Sequence, residues 1–312
     1  MKAIKVASFG SAEELVIAEM PQLEAGNGQV VIDVEVAGVG FVDVLARKGF
    51  LAFPNPGFIP GVEVAGTVIK IGENVEPVWL NQRVFALTHV GGYAEEVVAN
   101  VTSLSVIPAG LTFSDAVALG VNSMVAEFSL QRAGSVSGKE VLVRGAGGGI
   151  GSLSAQLAIQ KGARVSAISS SADKQKQLKN LAITNLFTDV NELSENFDVV
   201  IDPVAGPDAE LFIKKLKPNG KYILNGAVAG LPSDSFASNL FINFQNSLTI
   251  SCVSLSSIPH NELAKTMEYL FNLATTGKIK PIVAKTFLLP DAAEAHRYVE
   301  SGKAFGKILL KC

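Results

Sequence analysis

A chain of 312 residues, 48% of them hydrophobic, is long for one domain and has the apolar content for two cores. The net charge of −3, with no Lys/Arg-rich run, excludes a nucleic-acid footprint. The absence of a run of about 18 apolar residues excludes a membrane-spanning helix. Two cysteines far apart, Cys252 and Cys312, exclude a disulfide framework. Residues 1–6 read as a strand with no long apolar core or small-residue cleavage site, so no signal peptide is expected and the setting is a reducing, cytoplasmic one.

The first 115 residues are rich in short strands. Over 29–36, Val30, Ile32, Val34 and Val36 alternate with Val31, Asp33 and Glu35, the period of a half-buried strand. A short helix is predicted over 41–47, a loop with three prolines over 50–60, and strands over 61–72, 83–87 and 92–99. Many short strands joined by Gly/Pro turns predict a partly open barrel or sandwich. From 114 to 133 the pattern turns helical and largely apolar. Strands are then expected over 140–144, 164–168, 184–187, 197–202, 219–225 and 247–253. Helices fall between them over 151–161, 173–181, 208–216 and 238–244. This alternation is the mark of a doubly wound parallel sheet. A helix over 261–277, with Leu263, Met267, Leu270, Phe271 and Ala274 on one face, leads to a strand–helix–strand tail over 283–310 that is expected to rejoin the first domain. The predicted domains are 1–121 with 259–312, and 122–258.

The stretch that organises the second domain is Val141-Leu142-Val143-Arg144-Gly145-Ala146-Gly147-Gly148-Gly149-Ile150-Gly151. An apolar strand enters a turn whose glycines, Gly145, Gly147, Gly148, Gly149 and Gly151, let the backbone approach a ligand closely. The helix that follows directs unpaired N–H groups and a positive dipole end at that turn, which suits a phosphate. Ala146 breaks the strict G-x-G-x-x-G spacing; the fit is G-x-x-G-x-x-G at Gly145, Gly148 and Gly151. Alone, such a turn reads equally as a flexible loop, but strand before, helix after and strand again make a βαβ unit that binds a dinucleotide.

An acidic residue ending the second strand would bind a ribose 2′-hydroxyl and repel a 2′-phosphate. Here that strand ends in Ser169-Ser170-Ser171, with Lys174 one turn on. Hydroxyls and a cation suit a phosphate, which favours NADPH over NADH. Asp173 argues mildly the other way, a helix N-cap with a solvated lysine is the bland reading, and Arg164 reads as surface. Asp202-Pro203-Val204-Ala205-Gly206, Asn225-Gly226-Ala227 and Ser251–Ser256 fall at the carboxyl edge of the predicted sheet, where ligands lie in open α/β folds.

Further landmarks are Gly38-Val39-Gly40-Phe41-Val42-Asp43 with Arg47 and Gly49, then Ile59-Pro60-Gly61-Val62-Glu63-Val64-Ala65-Gly66 and Gly91-Gly92-Tyr93-Ala94-Glu95. The tail carries Asp291-Ala292-Ala293-Glu294-Ala295-His296-Arg297 and Gly306-Lys307-Ile308. In this order, over nearly the full length, they resemble the medium-chain dehydrogenase/reductase superfamily, in its zinc-free quinone oxidoreductase (zeta-crystallin-like) branch. The resemblance implies a GroES-like, partly open barrel beside a Rossmann domain, NADPH, and a homodimer formed through the Rossmann domain. The apolar stretch 246–253 fits an exposed sheet edge of the kind that pairs with a second copy.

Zinc relatives carry His before Glu where this chain has Val62-Glu63, and His89, His260, His296 and the cysteines are not spaced as a ligand set. No metal is expected. Glu63 reads as a buried hydrogen-bonding carboxylate, and His296 as a surface or structural residue. Hydride transfer to a quinone or α,β-unsaturated carbonyl places charge on an oxygen that a few donors can meet without a metal, in a cleft that excludes water. Expected cleft residues are Gly40, Phe41, Phe50, Phe53, Asn122 and Val125, with Ser123 near. Three positions depart from the resembling family: Gly40 replaces its Asn, Leu45 a Tyr, and Val125 a Thr that contacts the nicotinamide amide. A further Tyr after the third strand corresponds to Thr188. Asp43 and Arg47, four apart, read as an ion pair. Two readings follow: a metal-independent NADPH:quinone or enone reductase, and an NADPH-binding sensor or structural protein with little catalysis. A zinc alcohol dehydrogenase is a third, opposed by the ligand count.

Overall fold

The computed structural model describes residues 1–50 and 55–312; the expected aromatic Phe53 lies outside them. The chain divides into two compact units. One comprises Met1–Val121, Ile258–Thr276 and Pro281–Cys312; the other comprises Asn122–Ser257 with Gly277–Lys280. The sequence reading leaves residues 277–280 with the first unit. Gln156 explains the difference: its Nε2 donates to Lys280 O, and Lys280 N donates to its Oε1 at 2.7 Å.

In the first unit β1 (Lys2–Val6) and β2 (Leu15–Glu19) form an antiparallel pair. Then come β3 (Gln29–Val39), α1 (Phe41–Arg47), β4 (Glu63–Ile71), β5 (Arg83–Leu87), β6 (Glu96–Asn100) and β7 (Leu104–Val106). The strand predicted over 92–99 starts only at Glu96, because Gly91 takes a left-handed φ of 98° and residues 91–95 hold the Pro60–Gly61 turn instead. Val30, Ile32 and Val34 are buried while Asp33 and Glu35 are exposed, as alternation requires, but Val31, expected with the outward set, is also fully buried at a register shift against β4.

The helix predicted over 114–133 is α2 (Phe113–Ala133), continuous in sequence but broken at Gly120, whose φ of 20° and ψ of −131° are not helical. The second unit then alternates β8 (Glu140–Val143), α3 (Gly149–Gln160), β9 (Arg164–Ile168), α4 (Ala172–Lys179), β10 (Asn185–Phe187), β11 (Phe197–Asp202), α5 (Ala209–Ile213), β12 (Leu216–Leu224), α6 (Phe236–Ile242) and β13 (Thr249–Cys252). Its strands form one six-stranded sheet, order β10-β9-β8-β11-β12-β13, with every pair parallel. β8 is central, and Val141, Leu142 and Val143 are fully buried, which is why its sequence is an unbroken apolar run. β13 is an edge strand.

The chain returns through α7 (His260–Thr275), β14 (Val283–Leu288), α8 (Ala292–Glu300) and β15 (Lys307–Lys311). β15 pairs antiparallel with β3, giving a seven-stranded sheet of path β14-β15-β3-β4-β5-β7, with β6 also on β3. Among the described residues this path does not close on itself. The architecture is a doubly wound parallel sheet plus a strand-rich, GroES-like open sheet.

Candidate functional site

The glycine turn connects β8 to α3. Gly145 has a φ of 61°, and a β-carbon there would stand 2.6 Å from Val204 Cγ2. Gly148 caps the helix, and α3 begins at Gly149, earlier than the predicted 151. Gly149, Ile150 and Gly151 therefore form its first turn, where backbone N–H groups have no acceptor within the helix. A β-carbon on Gly151 would collide with Gly145 O, so this glycine lets the helix seat on the turn. The Asn122 amide packs against Gly149 on the other side.

The Lys174 stem crosses the turn: its Cδ lies 2.5 Å from where a β-carbon on Gly147 would stand, and Ser169 Oγ lies 3.2 Å from the same point. Burial holds the Lys174 ammonium below the usual lysine range. Ser169 is buried at the end of β9 and Ser170 is exposed. Ser171 caps α4 by accepting Lys174 N–H. The cap and the cation therefore coexist. Gln175 Nε2 donates to Ser169 O at 2.8 Å and ties α4 to the strand end. Thr188 is exposed, and its N–H donates to Glu192. Arg164 is exposed and pairs with Glu140.

Arg144, just before the turn, is a residue that sequence reasoning left without a role. It donates from Nη1 to Asp202 Oδ2 at 3.2 Å and to Ala205 O at 2.6 Å, and from Nη2 to both oxygens of Asp208. Its guanidinium stacks on Phe212 at 4.3 Å. Asp202 is fully buried and its other acceptor sites are filled. Oδ1 takes the N–H groups of Val204 and Ala205, and Oδ2 also takes the Tyr222 hydroxyl. This network fixes the loop after β11, in which Ala205 has a φ of 52°, beside the glycine turn. Asn225, after β12, donates from its N–H to Asp202 O, and a β-carbon on Gly226 would collide with Pro203 O. Turn, loop and Asn225 form one contiguous edge, a cradle that side chains at the glycine positions would fill. Val125 and Ser123 are both buried on α2, and Val125 O accepts the hydroxyl of Ser129, which in turn meets Asn225.

The first unit holds a second polar cluster. Glu63 is fully buried, accepts Val121 N–H at 2.8 Å through Oε2, and forms an ion pair with the buried Lys307. The expected Asp43–Arg47 pair is replaced. Asp43, at the third position of α1, accepts the N–H groups of Gly40 at 2.8 Å and Gly61 at 3.1 Å, and burial pushes its carboxyl up to about 6. Arg47, fully buried, pairs with Glu300 instead. His296 is not on the surface. It is fully buried, edge-on to Tyr93, with Nε2 3.0 Å from the Tyr93 hydroxyl. Burial, with Arg47 near, lowers its pKa to about 3. Gly40 and Phe41 are half-buried, and Phe50 is 74% exposed.

A catalytic zinc does not fit these residues. Among the described residues no three His, Cys, Asp or Glu side chains converge as a ligand set, and the Glu63 carboxylate is neutralised by the Lys307 ammonium.

A parallel βαβ sheet with a glycine turn at its carboxyl edge, in a chain that returns to a strand-rich unit, defines a two-domain dehydrogenase/reductase. The alcohol dehydrogenase GroES-like domain family matches residues 26–109, and the family described as zinc-binding dehydrogenase matches residues 180–310. The chain is 30% identical over 335 residues to the quinone oxidoreductase of Mus musculus, a match covering 99% of this chain and 97% of that one. It is 28% identical over 338 residues to the synaptic vesicle membrane protein VAT-1 homolog-like of Mus musculus, covering 99% and 81%. Among solved structures, mycobacterial Rv1454c complexed with NADPH is similar over the whole of both chains, with a TM-score of 0.93 and 26% identity. The chain belongs to the medium-chain dehydrogenase/reductase superfamily, in its quinone oxidoreductase branch.

Proposed function

We propose that this protein is an NADPH-dependent oxidoreductase that transfers hydride to a quinone or an α,β-unsaturated carbonyl without a metal. The observation that carries the cofactor reading is the Lys174 stem lying across Gly147 at the end of β9, where the strand closes in serines and not in a carboxylate. The likeness to a structure complexed with NADPH supports it.

NADPH, when bound, supplies the hydride. The residues of this chain do the rest. The first-turn N–H groups of Gly149, Ile150 and Gly151, with the cradle of Gly145, Gly147 and Gly148, receive the pyrophosphate. Ser169, Ser170 and Lys174 receive the 2′-phosphate, and the Asn225–Gly226 edge borders the nicotinamide. The Arg144–Asp202 network holds that edge in place, so geometry is set before the ligand arrives. In the first unit the substrate-side candidates are Gly40, Phe41 and Phe50. A delocalised acceptor asks for no strong Lewis acid, consistent with a carboxylate at Glu63 that is committed to Lys307.

The protein is further proposed to pair with a second copy along β13, whose outer edge has no strand partner among the described residues and whose preceding segment exposes Phe241, Ile242 and Phe244. Apolar Leu45 and Val125 and the side-chain-free Gly40 favour a second reading: NADPH binding with little turnover. Equilibrium titration with NADPH and NADH tests the shared cofactor claim. Tighter binding of NADPH is expected; equal or weaker binding than NADH contradicts it.

A further inference from the structure

Asn225 sits at the carboxyl edge of β12 with its side chain fixed from one end only. Its Nδ2 donates to Ser129 Oγ at 2.8 Å, and Ser129 Oγ donates to Val125 O at 2.7 Å. The serine has a single hydrogen, and Val125 O takes it, so toward Asn225 the hydroxyl acts as acceptor. That fixes which end of the amide faces Ser129. Asn225 Oδ1 is left buried, with no hydrogen-bond partner among the described residues.

A buried carbonyl oxygen without a donor is unfavourable, and folded proteins rarely keep one without a use. Two other side chains of this unit, Glu127 and Ser154, also hold an unpartnered buried oxygen, but both lie within helices. Asn225 alone of the three stands on the ligand edge. Its own N–H is bonded to Asp202 O, the neighbouring Gly226 packs against Pro203, and Val204 packs against Gly145 of the turn. Val125, at the far end of this relay, has no polar side-chain atom and contributes only its carbonyl.

We propose that Asn225 Oδ1 accepts a hydrogen bond from the carboxamide NH2 of the nicotinamide, and that Ser129 is the positioning residue that holds the amide in that orientation. The inference rests on reading this unit as the NADPH site. It makes Asn225 a specificity residue that recognises an N–H donor on the cofactor ring.

The test compares three ligands by equilibrium titration. They are NADPH, its reduced 3-acetylpyridine analogue (a methyl ketone in place of the carboxamide), and 2′,5′-ADP, which lacks the nicotinamide half. The wild-type protein is expected to prefer NADPH over the analogue by about tenfold, the ratio one recognised donor supports. Asn225→Leu is expected to bind both at the level of the analogue, with 2′,5′-ADP unchanged. Ser129→Ala, which removes only a hydroxyl, is expected to reduce the preference by about half on a logarithmic scale, again with 2′,5′-ADP unchanged. It carries the test on its own where the leucine disturbs the unit. Full preference retained in Ser129→Ala, or in an Asn225→Leu protein that still binds 2′,5′-ADP, overturns the proposal. A wild-type protein that binds 2′,5′-ADP without preferring NADPH over the analogue also overturns it while sparing the cofactor reading. A wild-type protein that binds neither NADPH nor 2′,5′-ADP overturns both.

Discussion

Glu63 and Gly120 share one space. The Glu63 carboxylate stands where a side chain at residue 120 would point, and it accepts the N–H of the next residue, Val121. The break in α2 is therefore built around a carboxylate that is itself neutralised by Lys307. Gly120→Ala meets both this clash and a φ of 20° that a β-carbon resists, and it should destabilise the protein by roughly 2–4 kcal/mol in urea unfolding. Glu63→Gln keeps an acceptor for Val121 but leaves a buried ammonium without its counter-charge. Its loss, about 3 kcal/mol, reports that ion pair. Stability unchanged in both variants would contradict this account of the break.

Two buried groups of the first unit oppose one another in their pH dependence. His296 has its folded pKa lowered to about 3 from an ordinary 6.5, so the unfolded chain binds more protons between those values. Its contribution is complete above about pH 6.5 and is lost as pH falls, at up to about 1.4 kcal/mol per pH unit. Asp43 is raised from 3.8 to about 6, so the folded chain binds more protons there. Its contribution is complete below 3.8 and is lost as pH rises toward 6. The two slopes offset each other between about pH 4 and 6. Replacing His296 with Gln should remove its rising contribution, so that stability in this window climbs less with pH than in the wild type. A variant whose pH slope matches that of the wild type would show that His296 is not the group responsible.

Arg144 neutralises the fully buried Asp202. Arg144→Met leaves that carboxylate without its cation and should cost about 3–5 kcal/mol, seen as faster amide hydrogen exchange at Val204 and Ala205. Arg144→Lys retains charge but cannot span Asp202 and Asp208 together, and its effect should fall between.

Cofactor choice should follow the strand end. Lys174→Gln is expected to weaken NADPH by about tenfold and leave NADH little changed. Ser170→Asp, which puts a carboxylate beside the 2′-position, should shift preference toward NADH. Affinities for the two cofactors that move in parallel would place the 2′-phosphate elsewhere.

Much of this architecture is written in local pattern. The unbroken run at Val141–Val143 marks a central strand, and the spacing of Leu263, Met267, Leu270 and Phe271 marks the buried face of α7. The surface reading of His296 fails for a local reason: it lies four residues after Ala292 and next to Ala295, on the buried face of α8. Other features leave no local trace. The break at Gly120 is hidden because Leu119 and Met124, on either side, are both buried, so the apolar pattern runs through it. The i,i+4 rule assigned Asp43 to Arg47, yet at the third position of a seven-residue helix the free N–H of Gly40 is the nearer donor. Glu63 with Lys307, and Asn225 with Ser129, are joined by topology across long stretches of sequence.

The central claim is metal-independent hydride transfer. Its most direct test is NADPH oxidation by the purified protein, followed at near-ultraviolet wavelengths, with an ortho-quinone and an α,β-unsaturated ketone as acceptors and a strong chelator present throughout. Saturable turnover that the chelator leaves unchanged is the expected result. Turnover abolished by the chelator and restored by zinc, or clear NADPH binding without turnover of either acceptor, would contradict it.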